Sequence, residues 1–351
     1  MQKITGESWF ASYLNEWYEK HKRSLPWRLT DDPYLIWISE IILQQTRVDQ
    51  GLPYYMRFVE TFSTVHELAE ASEDEVLRCW QGLGYYSRAK NLHATAKQLV
   101  NDYGGRFPST YDELLQLKGI GSYTAAAIAS FSFKQPHAVV DGNVFRVLSR
   151  VFGVETPINS TEGKRQFTEL AQSLIDVKRP DLYNQAIMEF GALQCTPKNV
   201  QCDHCILLER CSALASRRVA DLPIKLKKTN VKPRSLHYFA VEDSLGRQRL
   251  IKRDNKGLWA GLYEFPSIEL GPNDSVTDEL VSELFGSVQH WSIVDQAPLI
   301  HKLSHQELSV YLYRIQLDRA DDNGIEPQLI KDFPCSALMQ KLLKRLNFYY
   351  L

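Results

Sequence analysis

The sequence lacks the features of a membrane or exported protein. Across its 351 residues, no window approaches the roughly 18 uninterrupted apolar residues that a membrane-spanning helix needs. The first twenty residues carry Glu7, Glu16 and Glu19 among their apolar side chains, so they hold no continuous apolar core of a signal peptide. We therefore predict a soluble, cytoplasmic protein that makes no contact with membranes.

An overall excess of basic charge is also missing. The formal net charge of -1 gives no global sign of a nucleic-acid partner, because phosphate binding usually leaves a basic excess. Any such surface must be local, and one basic run lies between Ile206 and Arg234, where only Glu209 and Asp221 are acidic. Its members are Arg210, Arg217, Arg218, Lys225, Lys227, Lys228, Lys232 and Arg234. On its own, such a run is more often a solvated linker.

The length and the apolar patterns predict two domains. The first two hundred residues show helical spacing, and the residues after 235 change to short alternating runs such as 309–315. Between them, Pro223 and Pro233 punctuate the basic run. We predict a helical domain over 1–216, a basic linker over 217–234, and an α+β domain over 235–351.

Four of the six cysteines fall within seventeen residues, as Cys195-x6-Cys202-x2-Cys205-x5-Cys211. Disulfides are not expected in a cytosolic protein, so the choice is between zinc and an iron-sulfur cluster. Zinc sites usually pair two short Cys knuckles across a longer loop, whereas here one close pair is flanked by two distant ligands. This spacing favours a 4Fe-4S cluster over zinc.

A Gly-x-Gly hairpin, Gly119-Ile120-Gly121, leads into an alanine-rich helical run. Glycines there allow backbone N–H groups at the start of a helix to approach a phosphate, although a plain helix-turn-helix corner gives the same pattern. Asp141 follows, just before another helical pattern. Considered alone, Asp141 is most simply an N-cap residue.

A single carboxylate, Glu40, lies in the otherwise uncharged segment 34–46. If Glu40 is buried, its pKa should rise and it becomes a proton donor near neutral pH. The alternative is a glutamate on the wet face of an amphipathic helix. Gln44 lies one helical turn after Glu40, on the same face.

These motifs together resemble a known family. The cysteine spacing, the hairpin followed by Asp141-Gly142-Asn143-Val144, and the Ser39-Glu40 segment ending in Gln44-Gln45-Thr46 are similar to those of MutY-type adenine glycosylases, in the helix-hairpin-helix (endonuclease III) superfamily. Lys118 departs from the proline usual in the family hairpin. The resemblance implies a mainly α helix-hairpin-helix glycosylase domain with a 4Fe-4S cluster loop over 195–211, and a C-terminal α+β Nudix-like domain.

The resemblance also implies the reaction. A monofunctional glycosylase of this type removes adenine paired with 8-oxoguanine or guanine in double-stranded DNA, acting as a monomer at the nucleoid. Glu40 would protonate the adenine, Asp141 would stabilise or capture the cation at C1′, and Asn143 would help to hold the nucleophile. Tyr123 occupies the position at which bifunctional relatives carry a Schiff-base lysine, so no strand cleavage is expected.

The same resemblance implies contacts to DNA and to the lesion. It assigns the adenine-pocket wall to 25–28, insertion into the duplex to Gln44, and an unstacking wedge to the loop 82–88. The Nudix-like domain lacks the acidic array that holds magnesium, so it is expected to read 8-oxoguanine rather than hydrolyse nucleotides. The full set of implied contact residues is Leu25, Trp27, Arg28, Gln44, Gln45, Thr46, Leu83, Tyr85, Gly119, Gly121, Ser304 and His305.

Three other functions fit parts of the sequence. A G·T mismatch thymine glycosylase can share Tyr123 and the cluster, although such relatives generally lack a C-terminal domain. A non-catalytic lesion-binding protein would not require both Glu40 and Asp141. A Nudix nucleotide hydrolase would require the acidic array that this chain lacks.

Overall fold

A computed structural model gives the structure of residues 9–226, 231–271 and 274–348. The chain forms two compact units. The first comprises Met1–Glu70 and Ala94–Lys227, and the second comprises Ala71–His93 and Lys228–Leu351. Glu7 of the N-terminal segment, and Lys227 and Lys228 of the basic run, lie outside the described residues.

The first two hundred residues form one helix after another, as the apolar spacing predicts, and further helices follow. In chain order they are α1 Trp9–His21, α2 Pro33–Leu43, α3 Val48–Thr61, α4 Val65–Glu70, α5 Glu73–Cys79, α6 Ser87–Tyr103, α7 Tyr111–Leu114, α8 Ser122–Phe131, α9 Gly142–Phe152, α10 Thr161–Leu174, α11 Pro180–Leu193, α12 Ser212–Ala215, α13 Asp278–Phe285 and α14 Ala337–Arg345. Within the described ranges, no helix combines the length and apolar character needed to cross a bilayer.

The strands all lie after residue 231, as the alternating pattern predicts. They are β1 Lys232–Glu242, β2 Gln248–Arg249, β3 Ile251–Lys252, β4 Tyr263–Glu264, β5 Ser267–Leu270, β6 Val288–Ile293, β7 Leu299–Lys302, β8 Gln306–Leu317 and β9 Gly324–Ile325. The mainly helical domain and the α+β domain predicted from the sequence are therefore both confirmed.

The first unit is built around α11, which packs against α1 and α9, while α2 packs against α3 and α8. The alanine-rich α8 is buried along most of its length, because small side chains allow close approach of neighbouring helices. The apolar faces of α1 and α9 point to the same interior. These helices position the polar residues of the candidate site.

The second unit contains a mixed sheet of order β6-β8-β1-β2-β9, with β5 paired to β1 and β7 paired to β8. β1 and β8 run parallel over their full length, and the other pairs are antiparallel. Side chains alternate between the two sheet faces, so each face has its own apolar cluster, which includes α14 on one side and α13 on the other. β3 and β4 form a separate two-stranded sheet.

The unit boundaries differ from the predicted domains in two places. The segment Ala71–His93, expected in the helical domain, belongs to the second unit. Much of the expected linker is also bound to a unit: Leu222 is buried, and Leu226 exchanges hydrogen bonds with the Asn159 side chain. β1 begins at Lys232, inside the range expected for the linker. Sequence composition alone does not reveal such tertiary contacts.

Candidate active site

Glu40 is held near the end of α2, a helix of mostly apolar side chains whose start is capped by the Asp32 carboxylate. Its side chain is buried, as its sequence context predicts, because the residue is only 5% exposed. Burial raises the pKa of Glu40 to about 7; a hydrogen bond from Tyr123 opposes part of this rise, and the charge of Asp141 adds to it. Glu40 is therefore partly protonated at neutral pH.

Tyr123 is the second residue of α8 and points to Glu40. Its hydroxyl donates a hydrogen bond of 2.7 Å to Glu40 Oε2. Burial and the charges of Glu40 and Asp141 raise the pKa of Tyr123 well above its usual value, so the hydroxyl stays protonated. Because Oε2 accepts this bond, Oε1 is the Glu40 oxygen left to carry a proton.

Asp141 is the N-cap of α9 and also faces the cleft. Its Oδ1 accepts hydrogen bonds from the backbone N–H groups of Asn143 (2.9 Å) and Val144 (2.8 Å), and its Oδ2 accepts one from Asn143 Nδ2 (2.8 Å). Burial raises the pKa of Asp141, while these bonds act in the opposite direction by stabilising the carboxylate. The N-cap role and a role in the cleft are thus compatible.

Asn143 is itself held by Arg146, a buried arginine of α9. Arg146 Nη2 donates to Asn143 Oδ1 at 2.8 Å and to the carbonyl of Gly191 at 2.6 Å, and Arg146 Nε donates to the carbonyl of Cys195 at 2.7 Å. A side chain at Gly191 would meet Asn143, since an added Cβ would lie 2.6 Å from Asn143 Cβ. The sequence did not indicate Arg146 or Gly191, because both act through tertiary contacts with Asn143.

The four predicted catalytic residues line one cleft of the first unit, with a volume of ≈ 500 Å³. This volume is typical of sites for small molecules. Six of the predicted contact residues line the same cleft: Leu25, Trp27, Arg28, Gln44, Gln45 and Thr46. Gln44 is the first residue after α2, and Gln45, which is exposed, has a left-handed backbone with φ 56°.

A third carboxylate, Glu189 of α11, lies in the cleft wall and is fully paired. Arg28 and Arg23 each donate two side-chain hydrogen bonds to it, and Arg28 Nε donates to Gln185. Burial alone would raise its pKa, but the two arginines lower the pKa of Glu189 to about 2. Sequence reasoning missed Glu189, although a lone carboxylate in the apolar run 186–193 is the signal that found Glu40.

The Gly119–Gly121 hairpin precedes α8 but does not line the cleft. Gly119 has φ 78°, a left-handed conformation that favours glycine, and Gly121 is the N-cap residue of α8. Both glycines are exposed, while Ile120 between them is buried. The hairpin therefore presents bare backbone to solvent at a helix start.

In the second unit, the loop 82–88 meets the turn between β7 and β8. Tyr85 is 49% exposed, has φ 48°, and its hydroxyl lies 2.7 Å from Ser304 Oγ. Ser304 and His305 are exposed at the turn, whereas Leu83, the other expected wedge residue, is buried. The structure thus brings together Tyr85 and Ser304, which the sequence did not predict to touch.

The four clustered cysteines surround one small cavity of the first unit. Its other lining is mainly apolar, from residues such as Val151, Phe190 and Leu207. Two donors point at sulfur: Arg150 Nη1 lies 3.4 Å from Cys195 Sγ, and the backbone N–H of Leu207 lies 3.4 Å from Cys205 Sγ. N–H donors of this kind are typical of sulfur ligands in iron-sulfur sites.

The donor set at this cavity is all sulfur, the ligand type that both zinc and iron-sulfur clusters take. Within the described ranges, no group of three or more Cys, His, Asp or Glu side chains is arranged to hold a metal ion.

Comparisons with known proteins agree with this geometry. Residues 38–173 match the family model described as HhH-GPD superfamily base excision DNA repair protein, and residues 237–345 match the NUDIX domain model. The Nudix-like character of the second unit is thereby confirmed.

The chain is also similar to named relatives. It is 36% identical to the adenine DNA glycosylase of Rattus norvegicus, over 88% of this chain and 70% of that protein. It is 33% identical to the adenine DNA glycosylase of Buchnera aphidicola subsp. Baizongia pistaciae, over 86% of this chain and 84% of that protein. A solved thermostable thymine-DNA glycosylase is 31% identical with a TM-score of 0.55, covering 59% of this chain and 95% of its own. On these matches, the chain belongs to the adenine DNA glycosylase family and is a DNA N-glycosylase of base excision repair.

Proposed function

We propose that this enzyme removes adenine paired with 8-oxoguanine, or with guanine, from double-stranded DNA by hydrolysing the bond between adenine N9 and C1′. The observation that carries the proposal is the pair Glu40 and Asp141, a buried and a half-buried carboxyl group of one cleft with different hydrogen-bond partners. When two carboxyl groups of one site have different surroundings, one can stay protonated as a general acid while the other stays ionised. An extrahelical base is a ligand of suitable size for the cleft.

Glu40 acts as the general acid. The proton on Glu40 Oε1 passes to adenine N7, and the C1′–N9 bond then breaks with its electron pair remaining on the base. Water adds to the electron-deficient C1′, and the proton that this water loses returns to the Glu40 carboxylate. The products are free adenine and an abasic site, and Glu40 is again protonated.

Asp141 stabilises the positive charge that develops at C1′. Its three N–H donors favour the ionised carboxylate, and Asn143 fixes its orientation. A fixed negative charge beside an oxocarbenium-like transition state lowers the barrier, whether it acts by electrostatics or by transient capture of C1′. Tyr123 holds Glu40 Oε2 so that the acidic proton remains on the other oxygen.

The enzyme is proposed to be monofunctional. A lyase needs an amine that forms a Schiff base with the opened sugar, and the cleft presents a tyrosine, Tyr123, at the corresponding place. Among the described residues, the basic side chains that line the cleft are Arg23 and Arg28, and both are paired with Glu189. We expect base release without strand cleavage.

The first unit holds the DNA around the flipped adenine. The exposed glycine backbone of Gly119 and Gly121 suits a phosphate, since no side chain obstructs the helix start. Leu25, Trp27 and Arg28 supply a wall that is fixed by burial and by the Glu189 ion pair. Gln44, Gln45 and Thr46 follow the helix end at the cleft and contact the duplex beside the lesion.

The second unit reads the base opposite the adenine. Tyr85 is exposed on a glycine-flanked loop and unstacks the duplex, while Ser304 and His305 contact 8-oxoguanine from the β7–β8 turn. Tyr85 and Ser304 share a hydrogen bond, which links the wedge to the reader. The buried position of Leu83 supports a role in anchoring this loop.

We further propose that Cys195, Cys202, Cys205 and Cys211 hold a 4Fe-4S cluster, which fits the cavity that they border. Such a cluster would pin the loop 195–211 and supply no step of the hydrolysis. The enzyme is proposed to act as a monomer in the cytoplasm, at the nucleoid where double-stranded DNA lies.

The proposal is tested by single-turnover reactions on end-labelled duplexes that carry A opposite 8-oxoguanine, A opposite G, or T opposite G, each with and without alkali. We expect breaks only after alkali, on the adenine strand, and fastest opposite 8-oxoguanine. Breaks without alkali would show a lyase, and activity on T opposite G alone would instead favour the specificity named for the thymine-DNA glycosylase relative.

A further inference from the structure

The cleft of the first unit is bordered by a methionine that the proposed reaction does not use. Met188 lies on α11, and the packing of α11 against α8 brings its sulfur to 4.0 Å from the Tyr123 hydroxyl. The same hydroxyl donates the 2.7 Å hydrogen bond to Glu40 Oε2. Met188 is half-buried and lines the cleft, so a small solute that enters the cleft can reach its side chain.

The methionines of the described ranges differ in their surroundings. Met339 of α14 is 1% exposed in an apolar cluster of the second unit, whereas Met56 of α3 is 50% exposed. Met188 lies between these extremes, because its side chain is half-buried but borders a cleft of ≈ 500 Å³. Oxidation of a methionine requires that the oxidant reach its sulfur. Met188 therefore combines access from the cleft with a contact to the proposed catalytic residues.

Hydrogen peroxide converts a methionine to methionine sulfoxide. The sulfur attacks one oxygen of the peroxide, the O–O bond breaks, and the other oxygen leaves as water with the proton that the first oxygen loses. The sulfur gives up two electrons in this step, and the peroxide is reduced by them. A thioether sulfur is a weak hydrogen-bond acceptor, whereas the sulfoxide carries a polar oxygen. The reaction therefore places a new hydrogen-bond acceptor at the modified side chain.

An oxygen added to the Met188 sulfur can come within hydrogen-bond distance of the Tyr123 hydroxyl, because the sulfur itself lies 4.0 Å from it. This oxygen competes with Glu40 Oε2 for the single proton of the Tyr123 hydroxyl. When Oε2 loses that bond, the acidic proton of Glu40 is no longer confined to Oε1. We propose that Met188 is a modification site at which oxidation by peroxide slows adenine release. The effect on the rate rests on the proposed function of Glu40 and Tyr123.

The test compares single-turnover adenine release by the full chain before and after treatment with hydrogen peroxide, and peptide mass spectrometry identifies the oxidised residues. In the wild type we expect an added oxygen at Met56 and at Met188, and release that is about tenfold slower, the effect of one hydrogen bond to a charged group. Met188→Leu keeps a similar side-chain volume without sulfur, so treatment should leave its rate unchanged. Met56→Leu is the matched control and should be slowed as the wild type is.

Tyr123→Phe tests the hydrogen bond itself, because it lacks the hydroxyl and treatment should slow its own rate by about twofold at most. The proposal is overturned if Met188 stays unoxidised while Met56 is oxidised, or if the wild type oxidised at Met188 keeps its rate. It is also overturned if Met188→Leu or Tyr123→Phe is slowed as much as the wild type. Failure of the untreated wild type to release adenine would instead contradict the proposed function, whereas mass spectrometry would still report oxidation of Met188.

Discussion

Glu40 of the first unit and Asp243 of the second are both buried carboxylates, yet their surroundings move their pKa values in opposite directions. Burial raises the pKa of Glu40 to about 7, and its hydrogen-bond partner Tyr123 is a neutral hydroxyl. Burial would also raise the pKa of Asp243, but hydrogen bonds from backbone N–H groups and from Arg247 lower it to about 2.

Asp243 has a structural role, whereas Glu40 is suited to proton transfer. Asp243 organises the turn after β1, and ionisation there contributes to stability above its ordinary pKa. Glu40 is different, because the burial of its ionised form lowers the stability of the fold as the pH rises from about 4.5 toward 7. A group retained at such a cost is a strong candidate for proton transfer.

Among the tests of this comparison, we expect the largest change in the rate of adenine release from a substitution of Glu40. The Glu40→Gln variant keeps the shape of the side chain but cannot donate a carboxylic proton, so single-turnover adenine release should fall by about 10³-fold. Binding of the A·8-oxoguanine duplex should remain, as measured by gel shift. Glu60→Gln, at an exposed position of α3, is the matched control and should react normally. Normal adenine release by Glu40→Gln would show that Glu40 is not the general acid.

The next effect separates the two roles of Asp141. Asparagine is as good an N-cap residue as aspartate, but its Nδ2 cannot accept the hydrogen bond from Asn143 Nδ2, so Asp141→Asn should lower the melting temperature by only a few degrees. Loss of the negative charge should nevertheless slow adenine release by about 10²-fold. The two quantities are measured by thermal unfolding and by single-turnover kinetics. A large drop in melting temperature together with an unchanged rate would mean that Asp141 is a cap only.

The opposite pattern is expected at Asp243. Asp243→Asn loses the charged partner of Arg247 and should be destabilised by about 2 kcal/mol at neutral pH, with its rate of adenine release little changed below the melting range. Because the folded-state pKa is lowered, this contribution exists above pH 3.8 and disappears as the pH falls toward 2. Denaturant unfolding at several pH values checks this; equal stability of the two proteins at pH 7 contradicts it.

The smallest effect concerns recognition in the second unit. Tyr85→Phe keeps the aromatic wedge but removes the hydroxyl that bonds to Ser304. Since the bond is exposed, we expect only a few-fold loss in the preference for A·8-oxoguanine over A·G, with the rate on A·G unchanged. Parallel single-turnover reactions measure this ratio. A loss of equal size on both substrates would show that the hydroxyl serves general DNA binding instead.

Much of the fold and of the cleft could be predicted from the sequence, because the signals there are local. The apolar spacing predicts the helices, and Glu40 stands out as one charge in an apolar helix. The cysteine offsets likewise identify four residues that the structure gathers around one cavity. In each case the chemistry and the periodicity lie within a short stretch of chain.

Other parts of the site depend on contacts distant in sequence. Nothing near Arg28 shows that Glu189 binds it, and nothing near Tyr85 indicates Ser304, 219 positions away. The assignment of Ala71–His93 to the second unit has the same origin, as when Lys252 pairs with Asp74 at 2.7 Å. Pairings of this type are decided by tertiary packing, which leaves no periodic signal.

The central claim, that Glu40 is the acid of the cleft, is tested most directly by the pH dependence of single-turnover adenine release. With a pKa of about 7, the protonated form of Glu40 predominates below neutrality and declines tenfold per pH unit above it. We therefore expect a rate that falls in this way above pH 7 and that is level below pH 7, down to the acidic pH at which Asp141 becomes protonated. A rate that stays level from pH 7 to pH 9 would contradict it.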